Sequence, residues 1–265
     1  MTLFRSSQSR EEIAKVLQQT DGWITVADAA SALGIDRRTA AKRLARWTTQ
    51  GWLKRIQRGH YVPIPLERSS AEAPLEDPWL VVPHLIPRGY VGGWTAAHHW
   101  DLTEQLFRDV CVLGTRRHRR ILRAGITYVI FSATGPVFGV RTHWVGATRI
   151  PISDPTRTLV DMLSRPEAGP GIQHLADCLT NFVGARDSRI EDLLRYAERL
   201  GNGAVFKRLG YLLERRGITE GETLERCRRN LTRGLTHLDP AMPCPRVVSR
   251  WRLRVPDDWA RPIHD

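Results

Sequence analysis

Apolar positions in the first sixty residues recur at helical spacing in three stretches divided by short polar breaks. Ile13, Val16 and Leu17 lay one stripe along Ser9 to Gln18, with Glu11 and Glu12 in the expected first turn, where the helix dipole favours acids. Asp21-Gly22 interrupts the pattern. Thr25, with Asp28 three residues on, is placed to cap a second helix carrying Val26, Ala27, Ala30 and Leu33. Gly34-Ile35 supplies a turn, Asp36 caps a third helix from Arg37 to about Gln50, and Gly51 closes it. The period then drops to two. Trp52-Leu53-Lys54-Arg55-Ile56 alternates, Gln57-Arg58-Gly59 turns, and His60-Tyr61-Val62 returns before Pro63. Three helices followed by a hairpin predict a winged helix-turn-helix over residues 1–63.

Ile64 to Asp77 is rich in Pro, Ser, Ala and Glu without apolar periodicity, and reads as a linker over 64–77. Residues 78–265 form the larger second domain. Pro78 to Ile86 predicts a short helix, and Gly92-Gly93-Trp94 a turn into another. Strand-like runs follow at Asp109–Leu113, Ile126–Phe131, Val137–Val140 and Thr148–Ile152. Ser153-Asp154-Pro155 opens a helix on Leu159, Val160, Met162 and Leu163. Three further amphipathic helices are centred on Leu175, Leu194 and Leu209, Gly217 stops the last, and Arg250–Val255 alternates as a final strand. Strands precede helices in this domain. The predicted fold class is α+β: an N-terminal winged helix-turn-helix followed by a larger mixed α/β C-terminal domain with a helical second half.

Charge adds a partner to this picture. The 265 residues carry 40 Lys and Arg against 28 Asp and Glu, a net charge of +12, which favours a polyanion through counterion release. Residues 1–63 hold 11 basic and 5 acidic side chains, so half of the excess sits in that domain. On the third helix Ala40, Leu44 and Trp47 share one face. Arg38, Lys42, Arg46 and Thr49 take the other, flanked by Arg37, Thr39 and Arg43. A second helix of a helix-turn-helix with this split suits the DNA major groove, whereas the bland alternative is a solvated basic face. Lys54, Arg55 and Arg58 are expected near the tip of the wing, in reach of phosphate. Arg116, Arg117, Arg119 and Arg120 sit between two strand-like runs. They read equally as a phosphate-contacting hairpin loop or as a solvated turn.

Other chemistry is sparse. Adjacent His98-His99 lack companions at metal-ligand spacing, so no metal and no cofactor is expected. Gly201-Asn202-Gly203 reads as a turn between helices. Neither phosphate-loop, dinucleotide-binding nor nucleophile-elbow motifs occur, so no catalytic residue is assigned and a non-enzyme is expected. Cys111, Cys178, Cys227 and Cys244 form no CxxC pair and are expected as reduced thiols. Met1 to Arg10 has no apolar core of a secretory signal, and no apolar run reaches spanning length. A cytoplasmic location without membrane association is expected.

Four segments carry a family resemblance: Arg58-Gly59-His60-Tyr61-Val62-Pro63, Tyr90-Val91-Gly92-Gly93-Trp94-Thr95-Ala96-Ala97, Ile152 through Asp161, and Tyr196 through Val205. They resemble AbiEi-type antitoxins, the match running to about Val255, with Gly-Gly-Trp and Asp-Pro-Thr-Arg-Thr as its most specific parts. The resemblance implies the antitoxin of a type IV toxin–antitoxin pair, countering a nucleotidyltransferase-like toxin of AbiEii type. It also implies an autorepressor that binds inverted repeats in its own promoter. The alternative is a DNA-processing enzyme, such as a nuclease, targeted by the winged helix.

Overall fold

The computed structural model describes residues 2–64, 77–115, 119–133, 135–145, 148–185, 190–218 and 221–260, with side chains from Gln8 onward. Most of the predicted linker, and Arg116 and Arg117, lie outside the described residues. By compactness the chain divides into two units. One holds Met1–Leu85, Arg120–Tyr128 and Thr142–Ile150; the other holds Ile86–Arg119, Val129–Arg141 and Pro151–Asp265.

The first unit begins α1 (Thr2–Gln18), β1 (Ile24–Thr25), α2 (Val26–Leu33), α3 (Arg37–Thr49), β2 (Leu53–Gln57) and β3 (His60–Pro63). Helix α1 starts seven residues earlier than its apolar stripe, because nothing in Thr2–Gln8 is a Gly or Pro that would stop it. Glu11 and Glu12 therefore sit mid-helix, not in the first turn. The capped ends of α2 and α3 fall where the sequence places them. Val16, Ile24, Ala29, Ala40, Leu44, Trp47 and Leu53 bury together, so α1, α2, α3 and the hairpin share one small core. Strands β1, β3 and β2 form a three-stranded sheet in that order. A 3-10 turn (Pro78–Val81) and α4 (Val82–Leu85) complete the segment, as a short helix interrupted by its own tightening.

The remaining elements are β4 (Tyr90–Val91), α5 (Gly93–His99), β5 (Val110–Gly114), β6 (Arg119–Arg123), β7 (Ile126–Ser132), β8 (Val140–Val145), β9 (Thr148–Ser153) and α6 (Pro155–Ser164). After them come α7 (Ile172–Gly184), α8 (Ile190–Leu200), α9 (Gly203–Arg215), α10 (Glu222–Arg229), β10 (Thr236–His237), β11 (Arg246–Val248), β12 (Leu253–Val255) and α11 (Asp257–Ala260). Six strands pair in the order β6-β7-β5-β4-β9-β8, and three more as β10-β12-β11. The run Val137–Val140 is not a strand; β8 begins where it was expected to end, and Arg141-Thr142-His143-Trp144 forms the strand body. The short strands β4, β10 and β11 and helix α10 carry too little apolar pattern to be seen beforehand. A 3-10 turn at Ser249–Trp251 replaces the first half of the expected final strand.

The two marker segments of the family resemblance turn out to hold the fold together. Gly93 has φ +51, and a Cβ there would lie 2.2 Å from the Ala168 carbonyl oxygen and 2.6 Å from Cys111 Sγ. Only glycine fits. In the Asp-Pro-Thr-Arg-Thr segment, Asp154 caps α6 by accepting from the Arg157 backbone N–H at 2.7 Å, and Pro155 occupies the first helical position. Arg157 is fully buried. Its Nε donates to Asp161 at 2.9 Å, its Nη2 to the Tyr90 hydroxyl at 3.0 Å, and its Nη1 to the Pro136 carbonyl at 3.1 Å. The Tyr90 hydroxyl in turn donates to Asp161 at 2.8 Å, closing a triangle of buried polar groups. Burial pushes the Asp161 carboxyl upward against the opposing pull of Arg157, and pushes the Tyr90 phenol up as well.

A second buried cation, Arg208 on α9, has no carboxylate in hydrogen-bonding reach among the described residues. Its guanidinium donates to the carbonyls of Leu163, Ser164, His237 and Leu238, tying the end of α6 to the segment before β11. Burial lowers its pKa to about 10.

Candidate nucleic-acid interface

Local chemistry fixes the geometry of the helix–turn–helix. Thr25 and Asp28 form a reciprocal capping box at the start of α2: the Asp28 N–H donates to Thr25 Oγ1 at 3.1 Å, and the Thr25 N–H to Asp28 Oδ2 at 2.9 Å. Gly34 ends the helix at φ +64, a left-handed conformation that lets Ile35 donate back to the Ala30 carbonyl at 3.1 Å. Asp36 then caps α3, accepting from the N–H groups of Arg38 at 2.9 Å and Thr39 at 3.0 Å. The Thr39 hydroxyl donates to the same carboxylate at 2.6 Å. This side-chain bond, followed by the Thr39 backbone bond, holds the Asp36 pKa below its ordinary value.

Helix α3 buries Ala40, Leu44 and Trp47 as the periodicity requires. Its polar face is less uniform than the sequence suggests. Arg43 pairs with Glu12 of α1, and Arg46 donates from Nη2 to the hydroxyl of Ser9, also on α1, at 3.1 Å. Thr39 serves the cap, and the Thr49 hydroxyl turns back to the Ala45 carbonyl at 3.2 Å. The side chains of Arg37, Arg38 and Lys42 are exposed and have no such partner among the described residues. The cations without a side-chain partner thus lie on the first two turns, with Ala41 and Ala45 beside them, while Arg46 stays exposed and keeps its charge against the neutral Ser9 hydroxyl. Neither alanine adds bulk against an approaching surface. The tethers to Ser9 and Glu12 span 37 and 31 residues in sequence and leave no local signal.

In the hairpin, Gly59 adopts φ +78 at the turn and Arg58 stands exposed beside it. A bulge between Arg55 and Gln57 leaves Ile56 outside the pairing register, so Ile56 stays buried while Arg55 points to solvent. Lys54 is not near the tip. It lies opposite Val62 at the far end of the hairpin, half-buried, with its pKa lowered by that burial. The wing thus offers Arg55 and Arg58.

The basic run after β5 differs from expectation. Arg119 and Arg120 are exposed but belong to the edge strand β6, not to a loop. The turn comes later, at Ala124 (φ 51) and Gly125 (φ 83), a two-residue connection that matches the twist of the strands.

Helix, turn, helix and basic hairpin together are the equipment of DNA-binding transcription regulators. Residues 11–64, from α1 past the end of β3, match the sequence model of the AbiEi_4 family, described as transcriptional regulator, AbiEi antitoxin. The resemblance to AbiEi-type proteins holds over that segment. Among solved structures, the RV2827C protein from Mycobacterium tuberculosis aligns at a TM-score of 0.57 and 18% identity, covering 93% of this chain and 90% of the other. At that identity the likeness is one of fold. No curated protein matches the chain. Among the described residues no three His, Cys, Asp or Glu side chains gather as metal ligands, and no helix is long and apolar enough to cross a membrane.

Proposed function

We propose that the protein is a cytoplasmic, non-enzymatic transcriptional regulator. Residues 1–63 bind double-stranded DNA as a winged helix-turn-helix, 64–77 serve as linker, and 78–265 form an antitoxin domain. The observation that carries this reading is the division of labour on α3: one face buried, the late polar residues engaged by α1, and Arg37, Arg38 and Lys42 left unengaged at the end that enters a major groove. Arg38 and Lys42 then read base edges, and Arg55 and Arg58 hold phosphate; Arg119 and Arg120 are proposed as further phosphate contacts. On the resemblance to AbiEi-type antitoxins, the DNA is proposed to be the protein's own promoter, bound at inverted repeats. The same resemblance supports, as partner, a nucleotidyltransferase-like toxin that the larger domain counters directly or indirectly.

The test uses Arg38→Ala, Arg58→Ala and, as control, Arg195→Ala on α8, whose side chain is exposed beside Asp192. Titrated against the promoter duplex and a scrambled duplex, Arg38→Ala is expected to lose about 1–3 kcal/mol on the promoter only. Arg58→Ala should weaken both duplexes and reduce the salt slope by roughly one. Equal behaviour of Arg38→Ala and Arg195→Ala would end the assignment of α3.

A further inference from the structure

Between Asp109 and Asp154 the chain contains no Asp or Glu, yet it contains seven arginines, at 116, 117, 119, 120, 123, 141 and 149. With the +6 of residues 1–63, this stretch accounts for more than the whole net charge of +12; the rest of the chain is slightly acidic. Part of it, Thr142–Ile150, belongs to the same compact unit as the helix–turn–helix. There the β8–β9 hairpin is fastened on two sides. The Thr148 hydroxyl donates to the Asp21 carbonyl in the loop that leads into β1 and α2, and the His143 ring meets Trp79 edge-on at 5.2 Å.

What this fastened hairpin shows to solvent is an aromatic platform with an arginine on it. Trp144 lies on the edge strand of the six-stranded sheet and is 58% exposed, an unusual amount for an indole that could have been buried. Arg149, on the neighbouring strand, holds its guanidinium 5.6 Å from the Trp144 ring centroid. The cation–π contact holds the guanidinium near the indole, and Arg149 is exposed, so its donors can reach a phosphate. Thr142, exposed two residues before Trp144 on the same strand face, adds a hydroxyl. Neither strand carries an acid, so nothing on them repels a polyanion.

We propose that the β8–β9 hairpin is a second DNA-contacting element, with Arg149 on a backbone phosphate and the exposed face of Trp144 against the adjoining sugar. It extends the footprint of the helix–turn–helix on the same duplex. The proposal rests on the DNA-binding reading of α3, and its test separates the two. Fluorescence anisotropy with a labelled mixed-sequence 30-base-pair duplex is run across a range of KCl concentrations on the full chain. The Trp144→Ala/Arg149→Gln variant is expected to bind about five- to tenfold more weakly, with a salt slope lower by about one. Arg149→Lys should restore the slope, which a folding defect would not allow. Wild-type binding by the double variant, alongside weakened binding by Arg38→Ala/Lys42→Ala, would overturn the hairpin contact while sparing the α3 reading, and would hand the platform to a protein partner. Wild-type binding by both variants, or no binding by the native chain, would overturn both.

Discussion

Arg157 shows how much one side chain can be asked to hold. It is enclosed by Asp161, Tyr90 and a backbone carbonyl, and removing a partner leaves a buried charge unanswered. Asp161→Asn should therefore cost about 3–5 kcal/mol, and Tyr90→Phe about 1–3 kcal/mol, in denaturant unfolding of the full chain. Near-native stability of Asp161→Asn would show that the triangle is dispensable. His174 makes a different prediction. It is buried beside Cys178 Sγ at 3.7 Å and the Phe107 ring, and burial lowers its pKa below the usual value near 6.5. The unfolded chain then binds the proton more readily, so this contribution to stability is complete above about pH 6.5 and drains away as pH falls toward the folded value. The Tm difference between native protein and His174→Gln should shrink between pH 7 and pH 5. A difference independent of pH would remove His174 from the balance. Burial also pushes the Cys178 and Cys227 thiols up to about 12, so neither should react with iodoacetamide at pH 8 until the chain unfolds.

At the scale of elements, the caps are where sequence and structure agree best. Thr25, Asp28, Gly34, Asp36 and Asp154 each sit at the helix end their chemistry favours, because capping is decided by residues within four positions of one another. Gly34→Ala tests this directly. A Cβ there meets nothing within 4 Å, so the backbone conformation alone is strained, and the cost should be about 1 kcal/mol by thermal unfolding of the full chain. An unchanged Tm would mean that the left-handed turn relaxes freely. The legibility of the interface follows the same logic. Arg38 and Lys42 were readable from spacing. The intramolecular partners of Arg43, Arg46 and Thr39 were not, since Glu12 and Ser9 lie far off in sequence and a hydroxyl that closes a cap looks like any other threonine. Strand β8 escaped notice because Arg141-Thr142-His143-Trp144 lacks the alternation that marks a half-buried strand.

Across the whole molecule, Gly-Gly-Trp and Asp-Pro-Thr-Arg-Thr, which lie outside the matched residues 11–64, serve packing, while the surface charge that points to a partner lies in residues 1–63 and in the acid-free stretch before Asp154. The brace between α1 and α3 has a consequence that reaches beyond the fold. With Arg43 tied to Glu12, the unpartnered cations of the proposed reading surface, Arg37, Arg38 and Lys42, span about two helical turns, roughly 11 Å or about three base pairs. A three-letter word recurs by chance about once in every 64 positions, and a genome offers on the order of a million competing sites or more. One copy of α3 therefore spells too short an address to find a single promoter. Reading the word twice, as a repeated and inverted sequence would permit, lengthens it to about six letters that recur about once in every 4,096 positions, so the wing and the shape of the duplex must supply the rest of the address.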